Sequence, residues 1–166
     1  MTGQRTVRTH GSLRRHTSTA LKDVRIAVIA AGFHGPLGRA LVKGASETLR
    51  RGGIRQANLR VIWVPGAFEL PAAAARVIRS RPRPHAVVAV GALVKGDTLQ
   101  YDILAHAVAQ GLTHLSVTTG VPVTCGVIVA DTLAQARARA DGTIGHRGEE
   151  AARAALEMVT LFERLV

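Results

Sequence analysis

Cysteine is nearly absent. The 166-residue chain carries one, Cys125, so it forms no intrachain disulfide and no cysteine-rich metal site. Aromatic residues are scarce at 3%, which leaves Ala, Val, Leu and Ile to fill the core. The apolar stretches are short and broken by Gly, Pro or charge, and none approaches the roughly 20 residues of a membrane-spanning helix. Acidic residues number 11 against 22 Lys and Arg, for a net charge of +11. A disulfide scaffold, a zinc module and a helical membrane protein are excluded. What remains is an ordinary globular balance, 47% hydrophobic and 20% charged, sufficient for one domain with or without a tail.

The positive charge is uneven. Residues 1–25 hold Arg5, Arg8, Arg14, Arg15, Lys22 and Arg25 against a single acid, Asp23, and Arg outnumbers Lys by 19 to 3 overall. No aromatics interleave with these bases, as they do where a protein stacks single-stranded bases. Specific nucleic-acid binding is therefore not expected; nonspecific attraction to polyanions is. Residues 1–22 lack apolar periodicity and predict a basic, disordered arm, only faintly similar to an organelle transit peptide. No apolar core of a secretory signal precedes the domain, and a cytoplasmic location is the default.

From Val24 the chain alternates between two patterns. Short β-branched runs at Val24–Ala30, Leu59–Val64, Ala86–Val90 and Val123–Val129 are almost continuously apolar, as strands buried on both faces should be. Helical patterns fill the intervals at Pro36–Arg51, Phe68–Ser80, Tyr101–Ser116, Thr132–Ala140 and Glu149–Leu165. Pro36 and Pro71 suit first helical turns, while Gly52-Gly53 and Gly111 are plausible stops. Such alternation predicts a three-layer α/β domain over residues 23–166, a parallel sheet with helices on both faces.

Ligands of such sheets bind beyond the carboxyl ends of the strands. The loops there are Ala31–Pro36, Pro65–Glu69 and Ala92–Gln100, and they hold two of the three phenylalanines, Phe33 and Phe68. Each is either a stacking face for a planar ring or a cap over the core. Lys95-Gly96-Asp97-Thr98 leads into a helix that Asp97 or Thr98 can cap, with free N–H groups that can receive an anion. Neither the Walker nor the dinucleotide glycine spacing occurs. Arg137–Arg147 is a Gly-rich basic segment, either a solvated loop or a source of guanidinium forks for a phosphate. The histidines show no metal-ligand spacing, and Cys125, inside an apolar run, predicts a buried inert thiol.

The motifs Val64-Pro-Gly-Ala-Phe-Glu-Leu-Pro71, Lys95-Gly-Asp-Thr98, Thr119-Gly-Val-Pro122 and Asp131-Thr-Leu-x-Gln-Ala136 resemble the lumazine synthase family in order and spacing. The resemblance runs from about Val24 to Leu165. It implies a flavodoxin-like sheet and a reaction without cofactor or metal. In that reaction 5-amino-6-ribitylamino-uracil condenses with 3,4-dihydroxy-2-butanone 4-phosphate to 6,7-dimethyl-8-ribityllumazine, the step before riboflavin. It further implies that Phe33 stacks on the pyrimidine, that Ala67, Phe68 and Glu69 hold the ribityl chain, and that Leu93 and Val94 offer backbone contacts to the ring. Gly96, Asp97 and Thr98 would line the phosphate pocket, with Arg139 and Arg147 supplied by a neighbouring subunit. The site would then exist only in a homo-oligomer, a pentamer or a 60-subunit shell, with residues 13–20 as an added edge strand on a neighbour.

The chain departs from the family's pattern at three places. Gln100 stands where the family has its presumed proton-transfer histidine, and an amide cannot exchange a proton near neutral pH. Arg147 replaces a usual lysine, and Cys125 replaces a frequent aromatic. The resemblance therefore implies a slow synthase, or else a shell-forming scaffold or binder of flavin-like ligands. His34, beside Phe33, is the one nearby imidazole.

Overall fold

The computed structural model describes residues 21–165. Four parallel strands form the sheet: β1 (Ile26–Ala31), β2 (Leu59–Val64), β3 (Ala86–Val94) and β4 (Val123–Ala130), in the order β2-β1-β3-β4. Five helices connect and flank them: α1 (Gly35–Arg51), α2 (Leu70–Ile78), α3 (Gln100–Thr119), α4 (Leu133–Ala140) and α5 (Arg147–Arg164). Short 3-10 turns at Gln56–Asn58 and Ala67–Glu69 precede β2 and α2. The anticipated three-layer, flavodoxin-like α/β architecture is the one observed. The basic arm and its edge strand fall, but for the last residues before Asp23, outside the described residues.

The two-residue period of the strands divides the core in two. Ile26, Val28 and Ala30 of β1 and Ala86, Val88 and Val90 of β3 point to one face, where α1, α4 and α5 bring Leu37, Leu41, Leu49, Ala136, Ala152 and Ala155. The alternate residues Ala27, Ile29, Val87 and Ala89 point to the other, against Leu70, Ala74 and Ile78 of α2 and Val108 and Leu112 of α3. Leu41 and Leu70 are wholly buried, and truncating either to Ala costs about 2–5 kcal/mol. With so few aromatics, small residues let the layers approach closely. A Cβ on Gly91 would stand 2.8 Å from that of Ala31, so this glycine keeps β3 tight on β1.

Four expectations need correction. Gly111 does not end a helix: α3 runs through it to Thr119, and its missing Cβ leaves room for Pro71, which would lie 2.9 Å away. The third strand continues past Val90 to Val94. Full burial on both faces holds for β1 and β3 only, since β2 and β4 are edges whose Val61, Trp63 and Val129 are exposed. Cys125, on edge strand β4, is likewise exposed rather than buried. An apolar run does not tell whether its strand lies at the centre of the sheet or at its edge.

Candidate functional site

The chain leaves β1 to build β2 on one side and returns to build β3 on the other. Their carboxyl ends therefore diverge at a topological switch point, where an open α/β sheet leaves a crevice. A cavity of about 380 Å³ lies there. Phe33 and His34 reach it from the β1–α1 connection, Gly66, Ala67, Phe68 and Glu69 from the turn after β2, and Ala92, Leu93 and Val94 from the end of β3. Gly96 and Thr98 follow from the next loop, and Gln100, Tyr101 and Leu104 from the start of α3.

Local chemistry fixes each wall. The Gly32 N–H donates to the Val64 carbonyl at 2.8 Å, tying the β1 exit to the end of β2. Glu69 folds back so that its carboxylate accepts the Gly66 N–H at 2.8 Å, which closes the turn and sets Ala67 and Phe68 at the rim. Phe33 is 81% exposed and Phe68 58%, so neither caps the core; each presents a free face. The Phe33 ring meets His34 edge-on, with centroids 5.0 Å apart and planes at 89°.

The phosphate-type features are split. Gly96 and Thr98 line the cavity, whereas Asp97 is exposed in the same loop and does not. Neither Asp97 nor Thr98 caps α3: its N-cap is Leu99, with no side-chain hydrogen bond, and Gln100 is the first helical residue. The Asp102 N–H donates to the Leu99 carbonyl at 3.1 Å, which leaves the Gln100 and Tyr101 N–H groups for other acceptors. Among the described residues no Lys or Arg lines the cavity. Lys95 turns away, 3.9 Å from Asp131.

Arg139 and Arg147 lie elsewhere, bordering a groove with Val127, Ile128 and Val129 of β4. Glu150 joins them, 2.9 Å from Arg147 and 3.3 Å from Arg139, and Arg139 also donates to the Ile144 carbonyl. The hydrogen bond from Arg147, aided by the charge of Arg139, holds the Glu150 carboxyl below the usual range. His146 caps α5 by accepting the Glu149 N–H and so fixes where Arg147 begins the helix. Of the residues singled out from sequence, Phe33, Ala67, Phe68, Glu69, Leu93, Val94, Gly96, Thr98 and Gln100 share one cavity; Asp97, Arg139 and Arg147 do not line it. Tyr101 and Leu104 were missed, although Leu104 lies four residues from Gln100 and three from Tyr101, spacings that make helical neighbours. Among the described residues no three His, Cys, Asp or Glu side chains gather to hold a metal ion, and no helix is long and apolar enough to cross a membrane.

An aromatic-walled cavity at the switch point of a parallel sheet, with an uncapped helix start beside it, is the small-molecule crevice of an open α/β protein. Comparison with known proteins narrows the class. The family model for 6,7-dimethyl-8-ribityllumazine synthase matches residues 23–163. The synthase of Gemmatimonas aurantiaca is 46% identical over 140 residues, 84% of this chain and 85% of the relative. That of Halorhodospira halophila is 42% identical over 146 residues, 88% and 93% of the two chains. The chloroplastic synthase of Arabidopsis thaliana is 38% identical over 152 residues, 90% of this chain and 66% of the relative. The chain belongs to the 6,7-dimethyl-8-ribityllumazine synthase family, transferases of riboflavin biosynthesis.

Proposed function

We propose that the chain condenses 5-amino-6-ribitylamino-uracil with 3,4-dihydroxy-2-butanone 4-phosphate to 6,7-dimethyl-8-ribityllumazine, releasing phosphate and water, in the cytoplasm. The observation that carries this reading is the single cavity in which Phe33, Ala67, Phe68, Glu69, Leu93, Val94, Gly96, Thr98 and Gln100 converge, in a chain of this family. The open face of Phe33 takes the pyrimidine by stacking. Ala67, Phe68 and Glu69 hold the ribityl chain, Glu69 by accepting from its hydroxyls, while the backbone of Leu93 and Val94 meets the ring edge. Gly96, Asp97 and Thr98, with the free N–H groups of α3, take the phosphate.

A dianion in a cavity without Lys or Arg needs charge from outside. Arg139 and Arg147 face their own groove on β4, so a second copy is the natural source of both guanidiniums. The active form in this reading is a homo-oligomer, a pentamer or a shell of pentamers. The amine then adds to the ketone and loses water to an imine, phosphate is eliminated, and the second nitrogen closes the ring. Holding the reactants together supplies much of the acceleration, whereas general acid–base help is worth ~10²–10⁴-fold. With an amide at Gln100 the reading is a slow synthase. Gln100 is also the observation that favours a second reading, a shell-forming scaffold or binder of flavin-like ligands with little turnover.

Purified protein given both substrates should generate the fluorescent lumazine above the uncatalysed rate, with native mass spectrometry showing pentamers or their multiples. Binding of a ribityl-pyrimidine analogue without product would favour the scaffold. A monomer that binds no analogue would defeat both.

A further inference from the structure

The proposed condensation moves protons, and Gln100 can carry none near neutral pH. Among the residues lining the cavity, the side chains that titrate are His34, Glu69 and Tyr101. Glu69 is occupied, one carboxylate oxygen closing the turn on the Gly66 N–H and the other assigned to the ribityl hydroxyls. A phenol ordinarily ionises at about 10, too far from neutrality to cycle efficiently. Imidazole is the group suited to the task. His34 occupies the N-cap position of α1, yet its side chain makes no capping hydrogen bond, and a proline fills the first turn. The helix start therefore does not use the ring. Half-buried at the rim, the ring stands edge-on to Phe33, so a pyrimidine stacked on that phenyl face comes to lie beside it.

The geometry points to His34 as the catalytic proton-transfer residue of this chain, in place of the histidine that position 100 lacks. The assignment rests on the synthase reading. Once the imine has formed, the imidazole takes the proton from the carbon between the imine and the phosphate-bearing carbon. The electron pair of that C–H bond becomes a carbon–carbon double bond, and the C–O bond to phosphate breaks with its electrons leaving on phosphate. The imidazolium returns the proton to the terminal carbon, while the enol hydroxyl gives its proton to water and becomes the ketone that the second nitrogen attacks. The titratable groups that share the cavity with His34 are the Glu69 carboxylate from the turn after β2 and the Tyr101 phenol from α3. Arg39, one turn along α1, brings its guanidinium back towards Gly35, and β3 contributes only apolar residues here.

The test compares wild type, His34→Asn and the double variant His34→Asn/Gln100→His, with kcat and KM followed from about pH 5.5 to 8.5, the range in which imidazole titrates. His34→Asn should lower kcat by about 10²-fold with KM within about threefold, and should lose the acid limb of the pH profile. Gln100→His in that background should return most of the rate. An active wild type whose kcat and acid limb survive His34→Asn overturns the assignment. So does a lost rate that tracks loss of analogue binding or of the native oligomer, since His34 would then be structural; His34→Gln guards against a fold defect peculiar to Asn. A wild type that makes no product overturns the synthase reading itself and His34's role with it, a result distinct from an active enzyme indifferent to His34.

Discussion

Arg139→Ala separates the role that the structure gives this side chain from the role proposed for it. Within its own chain Arg139 donates to the Ile144 carbonyl and pairs with Glu150 at 3.3 Å, holding the loop between α4 and α5. In the proposed assembly the same guanidinium meets the phosphate of a neighbouring site. The intrachain part is modest. A lost hydrogen bond to a carbonyl costs about 0.5–1.5 kcal/mol. The ion pair joins side chains 35% and 34% exposed, and a pair so open to solvent is worth ~0.2–1 kcal/mol. Together these give roughly 1–2 kcal/mol, or a fall in Tm of about 2–8 °C for a domain of this size.

The intersubunit part is larger and selective. A charge-assisted contact to phosphate is worth about 1.5–3 kcal/mol, which converts to a ~10–150-fold rise in the KM for the butanone phosphate. Affinity for a ribityl-pyrimidine analogue should change by less than about threefold, because the walls of the cavity are untouched. Arg139→Lys should fall between, since it keeps charge but loses the planar fork. Steady-state kinetics with each substrate varied, calorimetry with the analogue and native mass spectrometry make the comparison. Equal losses for both substrates with the oligomer intact would refute the assignment of Arg139 to phosphate.

Two further outcomes follow from the packing. Burial, with the charge of Arg25 adding to it, holds the His85 imidazole below its ordinary value of 6.5, and its Nδ1 accepts the Arg25 N–H at 2.9 Å. The folded state then binds fewer protons than the unfolded one just below that value, so stability should be flat above about pH 6.5 and fall as the pH drops beneath it. His85→Gln should flatten this slope in urea titrations; an unchanged slope would place the acid sensitivity elsewhere. Gly148→Ala would set a Cβ 2.3 Å from the Leu41 carbonyl oxygen, so α5 must move away from α1 at a cost of about 1–3 kcal/mol. Because Arg147 precedes that contact, the same variant should weaken phosphate more than pyrimidine, as titration with each ligand would show.

Much of the fold was legible because short, almost continuously apolar runs and proline-marked helix starts each name one element. The errors share a cause. Gly111 was read as a stop and the third strand as ending at Val90, but Gly91 and Gly111 each mark a place where a neighbouring element approaches too closely for a Cβ, Ala31 in one case and Pro71 in the other. Those neighbours are 60 and 40 residues away in sequence, beyond any local pattern. Cys125 looked buried because its strand is apolar, yet burial depends on strand order, and β4 is an edge.

The candidate site divides along the same line. Residues on loops after β1, β2 and β3 could be expected together, since a parallel sheet sends all its carboxyl ends to one side. Nothing in the spacing of Arg139 and Arg147 tells whether they face that cavity, and within the chain they do not. Their separation has a physical logic. The cavity offers two guanidiniums only Glu69, which is tied to the Gly66 N–H, whereas beside Glu150 both are paired before any substrate arrives. In the proposed oligomer the phosphate joins an arrangement that Glu150 has already ordered, so less side-chain freedom is lost on binding. Val129, half exposed on edge strand β4, borders the groove that holds both arginines, so a second copy seated there would cover it as well. A single contact between copies would then bury the edge strand and complete the phosphate pocket together, making catalysis conditional on assembly.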